Sequence, residues 1–331
     1  MLKRVLPSLA VAFAVTACAA RGDVITFSNL AGHQIETFDT STGVITPLFD
    51  VPGQPAGLVY FGTNILVALQ NTGQIVEWNG STVSVIASGM QTPGDLALHG
   101  NTLYISDSGS PHGNKVYQLS GLDTVSPALS ILDGNIDDPH ALQYVNGHLF
   151  VADTTVLYEI NPLTGAVEGQ LLLGVNLGGM VYDPFTGKIF LADQTHGALI
   201  EFSFNNSPAP GACNATGAGA CNIGTPAFVS PPISGPNPLI EGITSDGAGL
   251  IYLAVRVNNV AAAHVGAIWE YNIVTNNFSK VASKGPAGNV PGVEDLVDPP
   301  TPNPEPAAVM LMAAGLLVLA IRGQATKFRN F

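Results

Sequence analysis

The chain has 331 residues, 46% of them hydrophobic and only 11% charged, with 37 glycines and 24 prolines. Turns must be frequent, and long charged amphipathic helices are excluded. All 24 acidic residues lie between Asp23 and Glu305, whereas five of the 11 basic ones fall in the terminal segments, so the body is strongly acidic. Such a field repels phosphate backbones, which argues against nucleic-acid partners and fits solubility outside the cell or loosely held Ca²⁺.

Residues 1–20, MLKRVLPSLAVAFAVTACAA, run from basic Lys3 and Arg4 through an apolar stretch, Leu9 to Val15, into small residues. This is the order of a secretory signal peptide. Two processing routes fit: ordinary cleavage near Ala19 or Ala20, and a lipobox at Val15-Thr16-Ala17-Cys18 that would leave Cys18 as a lipidated N-terminus. Ordinary cleavage is preferred, because the other end supplies its own anchor.

From about residue 21 to 298 the chain repeats. Ile35-Glu36-Thr37-Phe38 is a degenerate first member of a series continued by Ile75-Val76-Glu77-Trp78, Val116-Tyr117-Gln118-Leu119, Leu157-Tyr158-Glu159-Ile160, Leu199-Ile200-Glu201-Phe202 and Ile268-Trp269-Glu270-Tyr271. From Thr37 the third positions advance by 40, 41, 41, 42 and 69 residues. Upstream of these lie continuous apolar runs such as Ile65-Leu66-Val67-Ala68, Leu149-Phe150-Val151-Ala152 and Ile189-Phe190-Leu191-Ala192, which predict strands buried on both faces. Shorter first strands precede them, joined by turns such as Asn146-Gly147, and a weaker fourth strand follows most units. Four strands in about 41 residues is the size of one propeller blade.

Five full units leave a split sixth. Residues 23–27 form a second strand without a first, and Glu294-Asp295-Leu296-Val297 forms a first strand without a second. Pairing the two closes a six-bladed ring and removes its exposed edges. The predicted fold is therefore all-β, a six-bladed propeller with a split closing blade. The pattern resembles propellers of the NHL, TolB-like and SMP-30/gluconolactonase groups, most closely at Pro93-Gly94-Asp95-Leu96 and Leu103-Tyr104-Ile105-Ser106-Asp107-Ser108.

The 69-residue spacing contains an insertion, residues 207–224, in a third-to-fourth strand turn. Its Cys213 and Cys221, the only cysteines outside the signal peptide, predict a local disulfide in an exported chain.

Candidate chemistry maps to the face shared by second-to-third loops and first-strand entrances. His33, His112, His196 and His264 occupy such loops, His140 stands at an entrance, Asp107, Asp153 and Asp193 end second strands, and Glu241 and Glu294 enter first strands. Imidazoles with carboxylates suit a divalent cation, Ca²⁺ or Zn²⁺. The competing reading is that each recurring Asp caps the loop after it. The SMP-30 resemblance implies a metal held by a Glu, two Asn and an Asp at first-strand entrances; only Glu241 and Asp95 match here, both Asn are missing, and lactonase activity is not carried over. The Glu77, Gln118, Glu159, Glu201 and Glu270 series lies on third strands, away from the channel, and is read as structural.

The chain closes with a Pro-rich spacer, residues 298–306, then the apolar run AAVMLMAAGLLVLAI at 307–321, then Arg322, Lys327 and Arg329. Fifteen helical residues span only about 22 Å, short of a typical hydrocarbon core. The order Pro304-Glu305-Pro306, apolar segment, basic end resembles the PEP-CTERM sorting signal of exopolysaccharide-producing Gram-negative bacteria, although a single Arg322 stands where that family carries a cluster. The resemblance implies an exosortase-type membrane protease as partner and an address at the cell envelope, with the membrane engaged through the C-terminal helix.

No complete catalytic constellation is present. The favoured expectation is a non-enzymatic binding or scaffold protein of the envelope or polysaccharide matrix; the alternatives are a metal-dependent hydrolase or lyase and a docking module for other envelope proteins.

Overall fold

The computed structural model describes residues 24–109, 114–203, 227–228, 233, 238–257, 265–282, 290–291 and 293–297. The signal peptide, His112, His264, both insertion cysteines and the sorting tail lie outside them. In chain order the strands are β1 (Val24–Asn29), β2 (Gln34–Asp39) and β3 (Val44–Asp50); then β4 (Pro55–Phe61), β5 (Asn64–Leu69), β6 (Gln74–Trp78) and β7 (Val83–Ser88) of blade 1. Blade 2 holds β8 (Pro93–His99), β9 (Thr102–Asp107), β10 (Lys115–Ser120) and β11 (Ala128–Asp133); blade 3 holds β12 (Ala141–Val145), β13 (His148–Ala152), β14 (Val156–Ile160) and β15 (Val167–Leu172). Blade 4 is β16 (Leu177–Asp183), β17 (Lys188–Asp193), β18 (Ala198–Ser203) and β19 (Ala227–Phe228); blade 5 is β20 (Pro238–Ser245), β21 (Leu250–Val257), β22 (Val265–Asn272) and β23 (Asn277–Ala282). A short β24 (Val290–Pro291) pairs with β22, and β25 (Val293–Val297) ends the body.

Each blade is an antiparallel meander, and the sixth has the order β25-β1-β2-β3. Thr26 stands opposite Val297 and Phe27 opposite Leu296. The predicted split closure is therefore the observed one, and the interruption between β18 and β19 places the insertion in the expected turn of blade 4.

The core consists of six apolar clusters, one in each seam between neighbouring blades. This explains why the second strands are apolar throughout. On β5, Ile65, Val67 and Leu69 pack toward the closing blade with Ile35 and Val51, while Leu66 and Ala68 pack toward blade 2 with Leu103 and Ile105. On β13, Leu149 and Val151 join blade 2, and Phe150 and Ala152 join Leu177, Ile189 and Leu191 of blade 4. Because strand side chains alternate between faces, a strand sandwiched between two blades needs apolar residues at every position.

First strands stand edge-on around the ring axis, so the backbone groups of their inner edges have no strand partner and must be satisfied otherwise. Asp95 does this for blade 3: its Oδ2 accepts from Leu142 N–H at 2.7 Å and its Oδ1 from its neighbour Leu96 N–H at 2.7 Å. Asp295 repeats the arrangement at the closure, accepting from Leu58 N–H at 3.0 Å. In both, the aspartate's own N–H donates to a serine Oγ on the second strand, Ser106 at 2.8 Å and Ser28 at 3.0 Å. Gln143 extends the scheme, its Oε1 accepting from Tyr182 N–H at 3.1 Å.

At two other seams the backbones touch directly. A Cβ on Gly57 would lie 2.4 Å from Gly94 O, and one on Gly179 would lie 2.7 Å from Glu241 O and 2.9 Å from Gly242 Cα. These approaches exist because the first strands bulge there; register shifts fall between Pro55 and Leu58, Pro93 and Leu96, Leu177 and Met180, and Ile240 and Ile243.

Asp95 is only half-buried at its surface, because one side opens on the channel, yet the surrounding wall desolvates its carboxyl. Burial pushes its pKa from the usual 3.8 up to about 7, against the pull of the Leu142 and Leu96 N–H donors. The folded state thus takes up a proton before the unfolded chain does. Asp95 contributes stability that is fully present below pH 4, declines as pH rises, and is gone above about pH 7. Asp95→Asn is expected to flatten that decline in a series of melting temperatures against pH. For the seams, Gly179→Ala is expected to cost about 1–3 kcal/mol in denaturant unfolding, because backbone rather than a movable side chain blocks the new methyl.

Candidate functional site

First strands run from one face of the ring to the other, and second strands run back. The ring therefore has a turn face, carrying first-to-second and third-to-fourth turns, and a mouth face, carrying second-to-third loops and blade-to-blade connections. The six first strands enclose an axial cavity of ≈ 500 Å³, whose wall includes Leu58, Leu96, Leu142, Met180, Ile243 and Leu296, one residue from each blade.

Polar side chains are delivered to the mouth by the ends of second strands. Gln70 follows β5, Ser108 follows β9, Gln194 follows β17, and Arg256 lies near the end of β21; His140 and Glu241 arrive from first-strand entrances. The charges here cancel. Arg256 Nη2 lies 2.5 Å from Glu241 Oε1, and Gln194 Nε2 donates to Glu241 Oε2 at 3.1 Å and to Ile240 O at 3.2 Å. The side chains of Gln70 and Ser108 carry no hydrogen bond among the described residues. His140 Nε2 lies 3.2 Å from Asp138 Oδ2, both side chains being about half exposed. The mouth thus offers neutral donors and acceptors around a tied ion pair, above a wall with apolar patches.

Of the residues predicted to hold a cation, His140 and Glu241 reach this cavity; Asp107, Asp153, Asp193 and His196 do not line it. Their carboxylates are occupied by backbone. Asp107 accepts from Gln91 N–H at 2.9 Å and Thr92 N–H at 2.6 Å. Asp153 Oδ1 accepts from Thr155 and Val156 N–H at 2.7 and 2.6 Å, and its Oδ2 accepts from Tyr158 O–H at 3.2 Å. Burial, followed by the Asp153 charge, pushes the Tyr158 phenol up to about 12. Asp193 Oδ1 accepts from Thr195 and His196 N–H at 2.9 and 3.1 Å, and Oδ2 meets His196 Nδ1 at 2.7 Å. Asp153 and Asp193 thus cap the loops that follow them, whereas Asp107 caps the connection that enters its own blade. Glu294 lies on β25, and its side chain is outside the description.

Among the described residues, the group of three whose ligating atoms approach within 4.8 Å is His148, Glu159 and Glu168, on blade 3 at the turn face. It was absent from the predicted set because Glu159 belongs to the third-strand series and His148 to a turn. The series explains the contact. Asn64 donates to Glu77 at 2.7 Å and Lys188 pairs with Glu201, both from the first residue of a second strand, which is the place His148 takes against Glu159 at 2.7 Å. In this structure the two form a hydrogen-bonded pair inside the blade.

No protein-family model and no curated protein matches the chain. Solved structures do. A chain of a nidogen/laminin complex superposes with a TM-score of 0.60 at 12% identity, covering 83% of this chain and 97% of that one. A chain of a mitotic checkpoint complex gives a TM-score of 0.47 at 11% identity, covering 72% of this chain and 88% of that one. At such identities the nidogen/laminin likeness is one of fold, and it agrees with the six-bladed propeller traced above.

Proposed function

We propose that this chain is an exported, non-enzymatic binding propeller of the cell envelope, and that its channel mouth takes a neutral, polyhydroxylated ligand such as an uncharged oligosaccharide. The observation that carries the reading is the charge state of the mouth. Glu241 and Arg256 neutralise each other, Asp95 and Asp295 are engaged by backbone N–H groups, and what faces the cavity is Gln70, Ser108, His140 and Gln194. Amides and hydroxyls that both donate and accept suit sugar hydroxyls, and the apolar patches of the wall suit sugar C–H faces. The alternative of a metal-dependent hydrolase would have to draw its ligands from carboxylates that are already engaged, Asp107, Asp153 and Asp193 by backbone N–H groups and Glu241 by Arg256.

Address rests on the sequence of the two ends. The signal peptide at 1–20 supports export, and Pro304-Glu305-Pro306 with the apolar segment 307–321 and Arg322 supports recognition by an exosortase-type protease. The Cys213–Cys221 disulfide belongs to the same reading, because it needs an oxidising compartment.

Isothermal titration of the full chain with neutral oligosaccharides and with uronate-bearing ones of equal length tests the ligand. Binding of the neutral set is expected, with Gln70→Ala and Gln194→Ala each weakening it about five- to tenfold, the worth of one hydrogen bond. Preference for the uronates, or binding indifferent to both substitutions, sinks the proposal. For the address, replacing Pro304, Glu305 and Pro306 by alanine is expected to leave the tail uncut and the chain in the membrane fraction; unchanged processing on an immunoblot refutes the exosortase reading.

A further inference from the structure

The turn face carries an apolar arc that the channel reading does not use. Val125, Leu163, Phe185 and Val274 are 106, 86, 55 and 75% exposed, and each sits at the tip of a turn on one of four consecutive blades, 2 through 5. Val125, Leu163 and Val274 occupy third-to-fourth turns and Phe185 the first-to-second turn of blade 4; the third-to-fourth tips of the other two blades are polar, Ser41-Thr42 and Ser81-Thr82, with Val44, 54% exposed, starting β3 beside the first of them. Exposed single apolar residues are ordinary, but four tips on one face, on adjoining blades, form a directional surface.

The chain leaves the body from this same face. β25 is a first strand running from mouth face to turn face, and its last residue Val297 stands opposite Thr26 near the start of β1. The nine spacer residues 298–306 reach at most about 30 Å when fully drawn out, and the 15-residue apolar run follows at once. A body tethered so closely to an inserted segment meets the bilayer surface at high effective concentration, and it meets it with the turn face.

We propose that, while the tail is in the membrane, the tips Val125, Leu163, Phe185 and Val274 rest in the bilayer interface, so that the propeller stands on its turn face with the channel mouth directed outward. The proposal rests on membrane insertion of the 307–321 segment. The partner is the uncharged lipid interface, because the one described lysine of this face near the arc, Lys188, is already paired with Glu201, while Asp123 shares the turn of Val125 and Asp246 lies on the first-to-second turn of blade 5.

Hydrogen exchange on the full-length chain tests it, in phosphatidylcholine–phosphatidylethanolamine vesicles and in detergent micelles, with co-flotation read in parallel. In vesicles the turns at 121–127, 161–165, 184–187 and 273–276 are expected to exchange roughly three- to tenfold more slowly than in micelles, with little change at 79–82. The combined variant V125S/L163S/F185S/V274S, which alters only exposed side chains, is expected to float equally well and lose the slowing. A chain that does not float overturns both this proposal and the anchoring reading. A chain that floats with unprotected turns, with equal protection in all six blades, or with protection that survives the serine variant overturns this proposal alone. Equal slowing in micelles at raised protein concentration assigns the arc to a second copy of the chain and equally overturns it.

Discussion

Ring closure depends on β25 finding β1 from the far end of the body, and a single residue makes that meeting specific. Asp295 donates its N–H to Ser28 Oγ, 267 positions away in sequence, and accepts from Leu58 N–H of the next blade. The antiparallel register then buries Phe27 and Leu296 in the seam with blade 5 beside Tyr252 and Ile268. Without this pairing both β1 and β25 would present open edges, and the seams on either side of the closing blade would each lose an apolar wall. Asp95 makes the same set of contacts within an unbroken blade, so the closure copies a contact that the ring also uses where the chain is continuous.

The same constraint shapes the channel. Six first strands can surround an axis only if their inner edges are relieved of unpaired backbone groups, and the carboxylates and amides that do so occupy the wall where a ligand would otherwise meet charge. Asp95 and Asp295 are thereby committed to Leu142 and Leu58. What remains for recognition comes one step above, from the ends of second strands. Architecture and specificity are thus divided along the axis, with the seam aspartates in the wall and neutral amides beside the Glu241–Arg256 pair at the rim.

The ring was legible in the sequence because its physics is periodic. A second strand packed between two blades must be apolar at every position, and Ile65–Leu69 or Leu149–Ala152 declare that in four or five letters. The split blade was equally legible, since a first strand and a second strand were each left over. The site was legible only in part. His140 and Glu241 were placed on the correct face, but the engagement of Asp107, Asp153 and Asp193 depends on which nearby backbone N–H groups turn toward them, and residue type does not disclose that. Gln70 and Gln194 carried no motif at all. The seam aspartates did leave a signal, an Asp-Leu pair at 95–96 and again at 295–296 with a serine on the partner second strand, Ser106 and Ser28; it becomes readable once the two are seen as the same blade position.

Charge ties the proposed ligand to the proposed stance on the membrane. The body carries nearly all of the chain's acids and few of its bases, and Arg256, which lines the cavity, is held by Glu241. An anionic polymer approaching the mouth meets net repulsion within about one Debye length, roughly 10 Å at moderate salt, against which the mouth face sets Lys115 at the start of β10, on a third strand away from the axis. A neutral polymer pays no such penalty. The same acidic surface would be repelled by an anionic leaflet, so a body held near a bilayer by its tail gains contact through apolar tips rather than through charge. Both faces therefore reject anions and differ in what they accept: hydroxyl-rich, hydrogen-bonding matter at the mouth, and hydrocarbon at the turn face. A propeller built in that way can stand on a membrane without occluding the channel that it presents to the surrounding matrix.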